Sequence, residues 1–254
     1  MDMEYLGVRE TTAFYLADDG ILVREEKGDR LVALDETLLR VEEVPELRAY
    51  PLLTQAPPAT YLQVPCVPMN SPWGFNCKNS MRREIRNLTE IRHPSIPTIH
   101  GYRVVRGYIL GLCIDKYDVA LHQMLEQKMQ FDKEQFFRNV CAIVAAIHAQ
   151  GYVHADIHRG NIMVKSDNPD EPFVIDFDSA ERIGSEISRQ SKYINYLQNR
   201  IFEPKVDMVF LLSLRKQLQL DGSILAYYGG YTHAAGCNVD TCGLTTGDAM
   251  DRVC

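Results

Sequence analysis

The stretch from Asp132 to Asp178 constrains this chain most. Phe136, Val140, Val144 and Ile147 repeat at helical spacing on one face of a helix starting near Asp132, and Gly151 stops it. Two short apolar strands follow, Ile162–Val164 and Phe173–Ile175, joined by the turn-rich KSDNPDEP. Paired as an antiparallel hairpin, they bring together Asn161, just before the first strand, and Asp176, just after the second. An amide carbonyl and a carboxylate at that open end are hard oxygen donors of the kind Mg²⁺ takes. Asp156, five residues upstream on a connecting loop, is close enough to accept a proton from an attacking hydroxyl. Each of these residues alone is an ordinary turn former. Together they supply what phosphoryl transfer needs: a seat for a divalent ion and a carboxylate that orients the nucleophile.

Upstream, the pattern is strand-rich and irregular to about residue 78. AFYL at Ala13, GILV at Gly20 and ATYLQV at Ala59 read as strands, separated by turn signals and a Pro-rich stretch over 55–60. The first clear helix follows Asn79–Ser80, either of which could cap it. Met81, Ile85 and Leu88 form its apolar face, and His93–Pro94 marks its end. GYILGLCI from Gly107 reads as a buried strand, with a short helix after it over 120–127. A last helix is expected from Lys205 to Leu218, and residues beyond Asp221 read as a poorly packed tail.

The chain has 254 residues, 46% hydrophobic, enough for one large domain or two lobes around a sizeable core. A net charge of −7 without a basic block argues against binding a nucleic-acid backbone. The richest apolar run, Cys141 to Ala149, is too short to span a membrane. The start lacks a secretory layout and the seven scattered cysteines read as reduced thiols, so an intracellular, cytoplasmic protein is expected.

HADIHRGN followed by VIDFD resembles the catalytic loop and metal-binding segment of the protein-kinase-like superfamily, H-R-D-x-x-x-x-N and D-F-G. The resemblance implies that His154 is the loop histidine, Asp156 the catalytic base, Asn161 the second metal ligand and Asp176 the principal Mg²⁺ ligand. REIRNLTEIRHPSI resembles the helix whose Glu pairs with the phosphate-binding lysine, which gives that role to Glu84. Glu84 shares a face with Met81 and Leu88; the plainer alternative is a surface Glu paired with Arg83 or Arg86. GLCIDKY resembles the strand running into the hinge, which puts adenine contacts at Lys116, Tyr117 and Asp118. Asp207 matches either a buried Asp that opens a family helix or a helix N-cap. With the REIR, GLCI and IDFDS pieces together, the chain looks most like divergent kinase-like proteins of the type common in filamentous fungi.

The resemblance implies an α+β, two-lobed fold, with a small β-rich lobe over 1–115 and a truncated helical lobe over 118–220, and with ATP and Mg²⁺ bound between the lobes. The implied activity is phosphorylation of a Ser/Thr hydroxyl on a protein substrate. Four departures stand against it. The segment Leu6–Gly20 carries Gly7 as its only well-placed loop glycine. Counting back from Glu84, the phosphate-binding lysine falls on Gln63, with Arg24 or Lys78 as substitutes. The loop Arg is Ala155, the loop Lys is His158, and Asp178 ends the D-F-G match. The chain also ends soon after its last helix. Two other readings follow: a pseudokinase or truncated binding module, and a small-molecule phosphotransferase of the aminoglycoside or choline kinase type, where a His also occupies the place of His158.

Three lesser features complete the reading. His158 could contact phosphate or acceptor, or be satisfied by backbone groups. Asp115, if it points inward, is a buried carboxylate needing a partner, or the register there is off by one. His233, Cys237 and Cys242 carry a weak metal-like spacing.

Overall fold

The computed structural model describes residues 4–9, 12–17, 20–25, 31–33, 38–64, 77–186 and 201–221, with side chains over 38–64, 78–186 and 201–221. The expected tail and the His233, Cys237 and Cys242 group lie outside these residues. The chain divides into two units, one of Met1–Glu90 with Pro97–Lys116, the other of Ile91–Ile96 with the chain from Tyr117 on. The fold is α+β, with antiparallel strands dominating the first unit and helices the second.

In the first unit, β1 (Glu4–Arg9), β2 (Thr12–Ala17), β3 (Gly20–Glu25) and β4 (Leu31–Ala33) pair in sequence order as an antiparallel meander. Gly7 lies within β1, beside a register shift. A second sheet runs β5 (Thr60–Gln63), β7 (Tyr108–Asp115), β6 (Ile99–Val105). Arg106 and Gly107 form the two-residue turn of the β6–β7 hairpin. Both have positive φ, the geometry that matches strand twist in the tightest hairpins. The segment from Leu38 to Ala49 lies against this hairpin in two 3-10 turns and buries Leu38, Leu39, Val44 and Leu47. It carries neither helical nor strand periodicity, so the sequence left it irregular.

Helix α1 (Cys77–Glu90) buries Met81, Ile85 and Leu88, the face its spacing predicts. It begins before Asn79 and Ser80, which lie in its first turn and do not cap it. Cys77 stands four residues before Met81, so the helical repeat extends past the cap signal. Once a helix is nucleated, adding residues costs little.

The second unit is built on α3 (Lys133–Ala149). The Asp132 carboxylate accepts from Gln135 N at 3.0 Å and caps it, and Gly151 leaves it at φ 84°. Phe136, Phe137, Val140, Val144 and Ile147 are fully buried, each side chain contributing about 1.5–3 kcal/mol. Strand β8 (Val119–Ala120) leads into α2 (Leu121–Glu126) and pairs with β10 (Ile162–Lys165), which pairs with β11 (Asn168–Val174). Strand β11 is longer than expected and takes in Pro169 and Pro172. It lies at the sheet edge, where a missing N–H costs no ladder bond. Strand β9 (Tyr152–Val153) pairs with β12 (Glu181–Arg182), and α4 spans Lys205–Leu218, the range expected for the last helix. Among the described residues no helix is long and apolar enough to cross a membrane.

Candidate functional site

The loop between β9 and β10 carries His154, Asp156 and Asn161, and its shape is set from beneath by α4. Asp207 is wholly buried in the first turn of α4 and is not its N-cap. Its carboxylate accepts from His154 N at 2.8 Å, Ala155 N at 2.7 Å and His148 Nε2 at 2.8 Å. Bonds to an ionised acceptor are about twice as strong as neutral ones. They hold Ala155 at φ 62°, a left-handed conformation that costs a non-glycine residue about 1–2 kcal/mol.

His154 ties this loop to the segment after β11. Its Nδ1 accepts from Asp156 N at 3.3 Å and its Nε2 donates to Ile175 O at 3.0 Å, which fixes one neutral tautomer. Burial pushes its pKa down, more strongly than nearby Asp207 and Asp156 push it up. The ring packs edge-on against Phe177, which is fully buried.

Asn161 is the second tie. Its Nδ2 donates to Asp156 O at 3.0 Å and approaches Asp156 Oδ2 at 3.4 Å, so the carbonyl oxygen of the same planar amide points the opposite way. Its backbone oxygen accepts from Ile175 N at 2.9 Å. Ile162 pairs with Val174, so the hairpin's open end brings Asn161 beside Ile175 and hence Asp176. Asp176 itself has φ 66°, another left-handed non-glycine residue. The structure thus gathers Asp156, Asn161 and the backbone of Asp176 within one unit.

A family model described as the protein kinase domain matches residues 71–202, more than half of the chain. This chain belongs to the protein kinase domain family.

The donor set in this kinase domain fits Mg²⁺. Asn161 offers an amide carbonyl and Asp176 a carboxylate, both hard oxygens. An ion held by one or two side chains completes its octahedron with water and phosphate oxygens. Among the described residues no group of three His, Cys, Asp or Glu side chains forms a closed metal cage.

In the first unit, Glu84 is 2% exposed, so the surface-pair alternative is set aside. Gln63 Nε2 donates to Glu84 Oε1 at 3.2 Å, so β5 and α1 meet through an amide and a carboxylate. The other side of that amide, Gln63 Oε1, is buried without a hydrogen-bond partner. Lys78, one candidate replacement for the lysine, pairs with Glu43 at 3.3 Å instead. The side chain of Arg24 in β3 is outside the described residues.

The expected hinge residues are spread across both units. Lys116 is exposed beyond the last rung of the β5–β7 ladder. The Tyr117 ring stacks on Phe173 at 4.4 Å. The Asp118 carboxylate accepts from Ser166 N at 2.8 Å, and its own N–H donates to Val164 O. Asp115 does not point inward. It is half-buried and accepts from Thr98 N at 2.9 Å and bonds His100 Nε2 at 2.7 Å. Burial raises its pKa, but these hydrogen bonds outweigh that and leave it below the usual value.

The sequence left the part played by Asp207 open and gave no signal for Gln150. Gln150 clamps the chain at Arg92, accepting from Arg92 N at 2.9 Å and donating to Arg92 O at 3.1 Å. A lone glutamine at a helix end has no pattern that distinguishes a clamp from a solvated side chain.

Proposed function

We propose that this kinase domain transfers a phosphoryl group from ATP to a Ser/Thr hydroxyl of a protein, in a Mg²⁺-dependent reaction weakened by Gln63. The observation that carries this reading is the Asn161 amide, which donates to Asp156 while its backbone holds Ile175, next to Asp176. Asp156 accepts the proton of the attacking hydroxyl, and Asn161 and Asp176 supply the oxygen ligands of the ion. Bound Mg²⁺ would offset the charge on the phosphate oxygens. Lys116, Tyr117 and Asp118 take the adenine side, chiefly through main-chain atoms, and Glu84 orients the group at position 63. In this reading residues 1–220 form the kinase domain, with lobes over 1–115 and 118–220. An intracellular setting suits the free, buried thiols of Cys113 and Cys141.

The Gln63–Glu84 contact favours a second reading, a pseudokinase that binds a nucleotide or partner without turnover. A neutral amide cannot supply the cation that holds the α- and β-phosphates. Mg²⁺-dependent ATP turnover on a generic protein substrate, compared with Asp176→Ala, separates the two. Transfer that disappears in the variant is the expected result. A native chain that binds ATP without turning it over would leave the pseudokinase, and label appearing on an aminoglycoside or choline would identify the small-molecule branch.

A further inference from the structure

Residues 38–53 form a strap that the β6–β7 hairpin holds by backbone bonds at both ends. Val41 N donates to Gly107 O at 3.0 Å and Ile109 N to Leu39 O at 2.8 Å. Further along, Tyr102 N donates to Pro51 O at 3.1 Å and Leu53 N to Tyr102 O at 2.9 Å. A Cβ on Gly101 would lie 2.6 Å from Pro51 O, a backbone atom, so only glycine admits the strap there. Leu38, Leu39, Val44 and Leu47 are buried between these ends. The strap is thus joined to the same sheet that carries Gln63 in β5.

From the middle of the strap Glu43 reaches α1. Its Oε1 accepts from Arg82 Nη2 at 2.9 Å, and its Oε2 lies 3.3 Å from Lys78 Nζ. Arg40 N donates to the same Oε2 at 2.9 Å, which fixes the carboxylate on its own 3-10 turn. An exposed single ion pair adds little. Here one carboxylate uses both oxygens on three donors. Helix α1 has no acidic residue in its own first turn, where a negative charge is favourable.

The helical period sets these cations and Glu84 on opposite flanks of one apolar stripe. Met81, Ile85 and Leu88 form the stripe, with Lys78 and Arg82 along one side and Glu84 along the other. Apolar burial is non-directional and leaves a helix free to roll on its sheet. Glu43 on one flank and Gln63 on the other, both carried by that sheet, remove this freedom.

We propose that Glu43 is a positioning residue for Glu84: it grips α1 at Lys78 and Arg82 and fixes the roll at which Glu84 meets position 63. Its effect on turnover rests on the phosphotransfer reading above, while its effect on the Gln63–Glu84 contact does not. Glu43 touches no reacting atom and acts only through the helix.

The test joins kinetics to NMR of the Gln63 side-chain amide on the full chain. Glu43→Gln keeps the size and removes the charge, and is expected to lower kcat about fivefold with the KM for the protein substrate unchanged. Arg82→Gln should act in the same direction, and the double variant should lose no more than Glu43→Gln alone. In a Gln63→Met background Glu43→Gln should change nothing further. Arg48→Gln, an exposed charge on the same strap, is the control and should leave kcat as it is. Glu43→Gln should also shift the Gln63 amide signal, identified by its absence in Gln63→Met, and Arg48→Gln should not. Unchanged kcat, additive losses, an equal loss in Arg48→Gln or in the Gln63→Met background, or a Gln63 signal indifferent to Glu43→Gln would overturn the role. A native chain with no turnover fails the phosphotransfer reading instead, and the amide signal then decides the role of Glu43 by itself.

Discussion

At position 63 an amide meets the buried Glu84 carboxylate at 3.2 Å, and the amide's own oxygen is buried without a hydrogen-bond partner. An unsatisfied buried carbonyl costs about 1–3 kcal/mol, a penalty that a lysine at the same place would not carry. Gln63→Lys is therefore expected to tighten ATP binding about tenfold, read by calorimetry, without lowering the melting temperature. Unchanged affinity would mean that this contact does not serve the nucleotide. The pairing of positions 63 and 84 could be read by counting residues along the chain. The orphaned oxygen could not, because a sequence names an amide without saying which way it faces.

Elements were legible where a repeat imposed a face. The helix α3 and the apolar face of α1 follow from 3.6-residue spacing, and β5, β7 and β10 from short apolar runs. What escaped is held by contacts that no local repeat announces: the bonds of Leu39 and Val41 to the β6–β7 hairpin, the capture of Asp118 by Ser166, and the grip of Asp207 on two backbone N–H groups. Each joins residues far apart in sequence, so no window of neighbours contains both partners. The pairing of β5 with β7 also joins residues far apart in sequence. A Cβ on Gly111 would meet Gln63 O at 2.6 Å, and that is a backbone atom that cannot swing away. Gly111→Ala should push β5 off its register and destabilise the chain by about 1–3 kcal/mol, measured by urea unfolding.

For the chain as a whole, the family match ends at residue 202, before the acceptor that shapes the loop between β9 and β10. A chain ending at Phe202 leaves His154 N, Ala155 N and His148 Nε2 without Asp207 in a buried setting. It is expected to lose its cooperative thermal transition, while a chain ending at Asp221 keeps one, as circular dichroism would report. Acid should act in two windows. His154 is held below its ordinary 6.5, so the folded state binds fewer protons than the unfolded one there. Its contribution is present above about pH 6.5 and is lost as pH falls towards its depressed value. Asp115, held below 3.8, contributes above that value and is lost further into acid. Melting temperature against pH should fall in both windows, and His154→Gln should flatten only the upper one.

Glutamine and lysine codons differ at their first base alone, CAA against AAA and CAG against AAG. Because Gln63 already reaches Glu84 from its place in β5, a single transversion would set an ammonium against that carboxylate with no backbone asked to move. One base change is all that separates an amide from an ammonium at the place that meets Glu84.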